Sequence, residues 1–466
     1  MSRGAADPIG FGTVPYWHVV APTRPSRSHD LPARVDVAIV GGGLTGLWTA
    51  LELQRREPSR SVVVIEAQSV GYGASGRNAG YLTSWFHHSP HALLALGRDV
   101  GRSIHHAAVD SVRSVLSTID ELAIDCDRQD GPVLWTGSNA SGARKIARDL
   151  EAIAELESPT YREVTAEDLR KRIHSPVLEA GYEDTVAALA NPAKLVRGLA
   201  DRLVERGLVL CEQTSVQAIE PRSGAVDVRT TRGTVRAEHV VLARNAWAAQ
   251  EDPFRRRVLP LYVYDVYTEP LSEEDWAAVG WSGREGVLDR RFFLINYRRT
   301  PDGRLMFGGV DGRQPFGGRI QPDLDRVGDV FGAQRAALTR VFPSLADVRI
   351  TFGHGGPIAM TPSLLPQVGL LCGGRVGYSH GYCGHGVAQS HLCTGILVDL
   401  LLGERTERSR YPFVDPTDRR YPREPLRWIG GRVTRAEGLW FDAAGDAGRS
   451  TADEPRLLRA VGRLLS

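Results

Sequence analysis

The sequence predicts a two-domain α/β protein: a parallel-sheet domain assembled from discontinuous segments, and an α+β domain built on an antiparallel sheet. Three observations predict it. Residues 35–40 and 62–65 are apolar runs separated by a glycine-rich turn and an apolar-periodic stretch through Leu53, the order of a βαβ unit. Further apolar runs return at 209–211, 215–219, 226–230 and 240–243, long after the first unit has ended. From Leu259 to Gly309 the pattern turns to alternation, so that Tyr262 and Tyr264 fall on one strand face. At 466 residues the chain exceeds what one hydrophobic core usually serves.

The turn in the first unit reads Gly41-Gly42-Gly43-Leu44-Thr45-Gly46, a G-x-G-x-x-G between a strand and a helix. Gly41 permits the tight turn, Gly43 a close backbone approach to a pyrophosphate, and Gly46 close packing of helix on strand. Glu66 ends the second strand 20 residues after Gly46, where a carboxylate accepts hydrogen bonds from an adenosine ribose. The combination points to a Rossmann-like dinucleotide site. Residues 71–76 repeat the G-x-G-x-x-G spacing, yet no strand feeds them and no apolar helix leaves them. They read instead as a small-residue loop bringing backbone N–H groups to the same cofactor.

A net charge of +2 gives no reason to expect a nucleic-acid partner. The five cysteines are scattered and lack C-x-x-C spacing, which argues for a reducing compartment and against a zinc site. No apolar leader and no run of about 20 apolar residues is present, so a cytoplasmic protein without membrane contact is expected.

In order, residues 1–33 read either as an extended arm that docks Tyr16 and Trp17 or as a disordered leader. Residues 90–125 carry helical periodicity. His87, His88, His91, His105 and His106 lack an acidic cluster and are read as surface or cleft histidines, with no metal. A strand is expected at 131–136, and helices at 141–156 and 163–172. Asn191 and Pro192 open a helix as N-cap and first residue. Strands follow at 292–297 and 304–307, then a helix from about Val387 to Leu402. Residues 441–453 read as a polar linker, and 457–465 as a short amphipathic helix.

The first glycine turn, Glu66 and the stretch Gly73-Ala74-Ser75-Gly76-Arg77-Asn78-Ala79-Gly80 resemble the FAD-binding N-terminus of the D-amino-acid-oxidase-like flavoproteins, which include glycine and sarcosine oxidases. The stretches 353–362 and 377–388, and Glu424-Pro425-Leu426-Arg427-Trp428, extend the resemblance toward the γ-glutamylputrescine-oxidoreductase-like branch. It implies non-covalent FAD, held by Gly41, Gly43, Leu44, Thr45, Gly46, Glu66 and Ala67. It adds Gly73, Ala74, Ser75, Arg77, Asn78, Ala79, Gly80, Leu82 and the backbone of Val216. Around the flavin ring it adds Gly356, Gly384, His385, Gly386 and Val387. It divides the chain into an arm (1–33), FAD-binding segments (34–89, 190–257, 350–430), substrate segments (90–189, 258–349) and a tail (431–466). Arg244 and Cys383 depart from the small or hydroxyl residues of relatives.

The resemblance also implies the chemistry, oxidation of a C–N bond by transfer of hydride equivalents to the flavin. His354 and His385 are the titratable candidates nearby, with loop-backbone hydrogen bonding as the plainer role of both; Tyr262 and Tyr264 are candidates for the substrate wall. The carboxylate-clamping cations of relatives align with Ile358 and Ala388, and the flavin-linking Cys with Ala359. No Lys follows Lys194. The expected activity is therefore oxidation of a small-molecule amine to an imine that water hydrolyses, with oxygen or another acceptor completing the cycle. The alternatives are an amino-acid oxidase or dehydrogenase with a clamp displaced to Arg291 or Arg298, and a flavin-bearing subunit without turnover.

Overall fold

The computed structural model describes residues 14–449 apart from 23, 87, 88, 282, 417 and 418. The final amphipathic helix expected at 457–465, the start of the arm, and His87 and His88 lie outside the described residues.

The first sheet is nucleated by Arg34–Val40, which pairs in parallel with Val62–Ile65 on one side and Gly233–Leu242 on the other. Both faces of this strand are covered, which is why its sequence is an apolar run rather than an alternation. Val209–Cys211 extends the sheet beyond Val62–Ile65, and Val376–His380 joins Gly233–Leu242, both in parallel. Helices Leu44–Arg56, Pro192–Glu205 and Gly386–Leu401 cover it with one continuous apolar cluster. Asn191 caps the second of these through its side-chain oxygen, with Pro192 at the first position.

The second sheet has eight strands, in the order Ile350–Met360, Leu259–Thr268, Leu305–Gly308, Ile295–Arg299, Gly286–Asp289, Val133–Gly137, Ala180–Asp184, Tyr161–Val164. It is antiparallel except where Gly286–Asp289 meets Val133–Gly137. Helix Gly328–Val341 packs on the face away from the first sheet's glycine turn.

Three expectations need correction. Ile350–Met360, grouped above with the FAD-binding segments, bonds along its length to Leu259–Thr268 and completes the second sheet. Its glycine-rich sequence carries no sign of its partner. The arm is helical at Tyr16–Val20 rather than extended. Its Tyr16 stacks on Tyr267 with centroids 4.2 Å apart and donates to Asp302, and Trp17 is 0% exposed beneath the Arg298 guanidinium.

The third correction concerns the expected linker at 441–453, whose residues 441–446 belong to the helix Leu426–Asp446. Its glycines at 431, 438 and 445 recur every seven residues. In the fold they let the helix lie directly against Gln314, Phe292 and Asn139.

Candidate active site

A cavity of about 1630 Å³ runs between the two sheets. At one end lies the first glycine turn. Gly41 has φ +118°, and a Cβ there would fall 2.5 Å from the Ala243 carbonyl oxygen. A Cβ on Gly46 would fall 2.0 Å from the Gly41 oxygen, so helix and turn touch backbone to backbone. Gly43 precedes helix Leu44–Arg56 without a capping side chain, which leaves the helix N-terminus facing the cavity beside Leu44 and Thr45.

Glu66 stands across this turn. Its carboxylate accepts from the Gly42 N–H at 2.7 Å and the Gln68 N–H at 2.9 Å. Burial pushes its pKa up, opposed by those two bonds. The oxygens are thereby fixed at the cavity wall with lone pairs left for sugar hydroxyls. The loop 71–80 forms the next side. Ser75 Oγ accepts from the Leu44 N–H at 2.9 Å, and Asn78 closes the loop on Ala74 and Gly80. Arg77 reaches Tyr72 O and Asp325. A cradle of glycines that no Cβ fits, a helix N-terminus and a fixed carboxylate suit a dinucleotide.

Of the predicted cofactor residues, Ala67, Gly73, Ala74, Ala79, Val216, Gly356, Gly384, His385, Gly386 and Val387 also line the cavity. Gly46, Gly80 and Leu82 stand behind its wall and hold the turn, the loop and the core. Helix Gly386–Leu401 brings a second N-terminus to the cavity, tied to the first turn by the 2.8 Å bond between Tyr382 and Thr45.

The second sheet forms the opposite wall. Alternation along Leu259–Thr268 turns Leu261, Val263 and Asp265 to one face and Tyr262, Tyr264 and Val266 to the other. Tyr262 and Tyr264 border the cavity but are 0% and 1% exposed, sunk into the cluster shared with helix Gly328–Val341. The Tyr262 hydroxyl donates to Gln321 O and accepts from Gln321 N. His354 lies in register opposite Asp265. Burial pushes its pKa down to about 4, so the ring is neutral, and its Nε2 lies 3.2 Å from Arg77 O. A nitrogen facing a carbonyl carries the proton, which leaves Nδ1 as an acceptor with no hydrogen-bond partner among the described residues.

Of the two arginines named as displaced clamps, one is paired and the other is buried off the wall, its Nε and Nη2 without a partner among the described residues. Arg291 grips Asp446 through two nitrogens, at 2.6 and 2.7 Å. Arg298 is fully buried, away from the cavity wall, with Nη1 bonded to the carbonyls of Ala79, Gly80 and Ala190.

Sequence reasoning missed three wall residues. Asp265 is an acid inside an otherwise uncharged strand pattern, a signal that was legible. Burial pushes its pKa up to about 7, with no cation or donor offsetting the shift. Asn296, also on the wall, has a buried Oδ1 without a partner among the described residues. Lys145 reaches the cavity from helix Ala140–Glu155, so a lysine is present although none belongs to the second sheet; burial, then Arg290, lowers its pKa. Nothing local in the sequence foretold this.

Comparison with known proteins agrees with this geometry. The family described as DAO, FAD dependent oxidoreductase, matches residues 36–400. The probable oxidoreductase OrdL of Rhizobium meliloti (strain 1021) is 32% identical, over 80% of this chain and 84% of the relative. The gamma-glutamylputrescine oxidoreductase of Escherichia coli (strain K12) is 31% identical, over 79% and 84%. Glycine oxidase from Geobacillus kaustophilus shares the fold, with a TM-score of 0.69 over 83% of this chain and 100% of that one, at 21% identity. The chain therefore belongs to the DAO family of FAD-dependent oxidoreductases, and its cofactor is FAD.

Proposed function

We propose that this enzyme oxidises the CH–NH bond of a small amine to an imine, which water hydrolyses to an aldehyde and the released amine. The observation that carries this reading is the commitment of Arg291 to Asp446 and the burial of Arg298 away from the cavity wall, with Ile358 and Ala388 at the positions aligned with clamping cations. A substrate α-carboxylate would then meet no bidentate partner on this wall. The E. coli relative's name, gamma-glutamylputrescine oxidoreductase, speaks for an amine as well.

Bound FAD supplies the two-electron acceptor for the C–H bond beside nitrogen. The chain supplies the setting. Leu261, Val263 and Ile358 give the sheet wall an apolar surface that excludes water. Neutral His354 offers an acceptor lone pair and no charge. We take FAD to be non-covalent: Ala359 stands where a linking Cys aligns, and burial pushes the Cys383 thiol up to about 11, far from a thiolate. Five unbonded cysteines fit a reducing cytoplasm.

A second reading, amino-acid oxidation, is favoured by Lys145 and Arg148 on the cavity wall, which could receive a carboxylate at a distance from the sheet. One experiment separates these. The yellow protein is mixed anaerobically with amines and amino acids while flavin absorbance is followed, and air is then admitted. Bleaching by amines is expected. Bleaching by amino acids alone would select the second reading, and no bleaching by any of them would refute both. The rate of recovery in air tells an oxidase from a dehydrogenase. Acid precipitation should leave the FAD in the supernatant.

A further inference from the structure

On the second sheet, four residues lie in one row across four strands. Asn296 pairs with Gly308, Gly308 with Asp265, and Asp265 with His354. In-register neighbours on antiparallel strands project from the same face, so this is one continuous row on the wall of the cavity. Gly308 contributes no side chain, and the space it leaves is used. The point where its Cβ would sit is 1.9 Å from Asp265 Oδ1 and 2.9 Å from both amide atoms of Asn296. Asp265 and Asn296 therefore converge over Gly308, with the His354 ring on the other flank.

Apart from the Asn296 amide NH2, the row presents acceptors. Among the described residues, Asn296 Oδ1 and His354 Nδ1 are buried without hydrogen-bond partners. No donor or cation offsets the burial of the Asp265 carboxyl. Orphaned acceptors buried on a cavity wall cost stability unless a ligand satisfies them. What satisfies three acceptors, one of them anionic, is a cationic N–H donor.

We propose that Asp265, Asn296 and His354 form the subsite for the substrate's amine nitrogen, and that Asp265 accepts the proton the incoming ammonium must lose. This rests on the amine reading above. An alkylammonium is protonated at neutral pH and cannot be oxidised until its nitrogen lone pair is free. In the transfer the N–H bond breaks, the electron pair stays on nitrogen and the proton passes to a carboxylate oxygen of Asp265. No redox change is involved. Asn296 Oδ1 and His354 Nδ1 then accept the remaining N–H bonds and aim the lone pair. The proton leaves to water with the product.

Asp265 suits this role because its carboxyl titrates near neutrality, where a proton is accepted and released readily. The groups facing it do not interfere. Tyr267 on its own strand and Tyr81 from the cofactor loop are both raised by burial and remain neutral. His354 across the strand pair stays neutral above about pH 4, and burial lowers the pKa of Arg298, which faces the two tyrosines.

The test uses the FAD-loaded enzyme and tert-butylamine, which has no C–H bond beside its nitrogen and so binds without being oxidised. Binding is read from the perturbation of the flavin spectrum between pH 5.5 and 8.5. Affinity should rise about tenfold per pH unit below 7 and level off above it, as the carboxylate forms. Asp265→Asn should bind at least about tenfold more weakly at pH 8 and lose the pH dependence. Asp265→Glu should recover part of both. Asn296→Leu should weaken binding while keeping the pH profile.

A flat wild-type profile, or an Asp265→Asn enzyme that binds like the wild type, would overturn the proposal, and the first of these needs no variant to fold. The two readings fail separately. If amines bleach wild type and Asp265→Asn at equal rates, the subsite is wrong and amine oxidation stands. If tert-butylamine binds through Asp265 but no amine bleaches the flavin, the subsite stands and amine oxidation falls.

Discussion

Two sets of glycines shape this molecule, and they do so by different physics. Gly41, Gly43 and Gly46 sit in a strand–turn–helix unit, where one bends the backbone at φ +118° and another lets helix and turn meet. Gly431, Gly438 and Gly445 lie at seven-residue spacing inside helix Leu426–Asp446. They release no unusual backbone angle; they make room for side chains that arrive from elsewhere. The first set acts locally, and its flanking strands and acid announce it. The second set acts only through partners more than a hundred residues away in sequence. A glycine's neighbours in sequence reveal the first purpose and hide the second.

Substitutions should separate the two sets. Gly46→Val drives a branched side chain into the Gly41 carbonyl, which belongs to a packed turn and cannot retreat. We expect a loss of more than about 3 kcal/mol and a protein purified without its yellow colour. A yellow Gly46→Val enzyme of wild-type melting temperature would dissolve the distinction.

Gly445→Ala presses on Asn139, whose side chain caps helix Ala140–Glu155 and bonds Asp446. About 1 kcal/mol should be lost, with FAD content unchanged. Gly431→Ala meets Gln314 Oε1, the far end of a flexible side chain, and should cost less than about 0.5 kcal/mol. Thermal unfolding beside FAD content reads all three. Loss of FAD from Gly445→Ala would show that the helix supports the cofactor directly.

A further effect is a change of slope with pH. Asp265 in the fold titrates near 7, well above its unfolded value of about 3.9. Between these values the folded state holds more protons than the unfolded chain, so stability falls as pH rises through that window. Asp265→Asn removes the fall. Its melting temperature should exceed the wild type's at pH 8, and the gap should shrink toward pH 5. A gap independent of pH would mean that Asp265 carries no uncompensated charge.

How far the sequence could be read follows the same division. The parallel strands, the glycine turn, Glu66 and the Asn191 cap were legible because each is a local pattern with a local cause. Most residues expected at the cofactor end accordingly line the cavity. The substrate end was less legible. Tyr262 and Tyr264 drew attention as aromatics, yet alternation alone cannot say which strand face meets the cavity and which meets helix Gly328–Val341. Asp265, one position along, was the informative residue. The role of Ile350–Met360 and the convergence of Asn296 with Asp265 depend on strand register, which no single segment encodes. The pairing of Arg291 and the burial of Arg298 became visible only once Asp446 and Ala190 were placed beside them.

The central claim is that the cavity takes an amine without requiring an α-carboxylate. It is tested most directly by the anaerobic rate of flavin bleaching with matched pairs, each an amine and its α-carboxylated counterpart. Faster bleaching by the amine across the pairs is the expected result. Faster bleaching by the carboxylated partner would mean that a clamp exists on this wall, and the claim would be wrong.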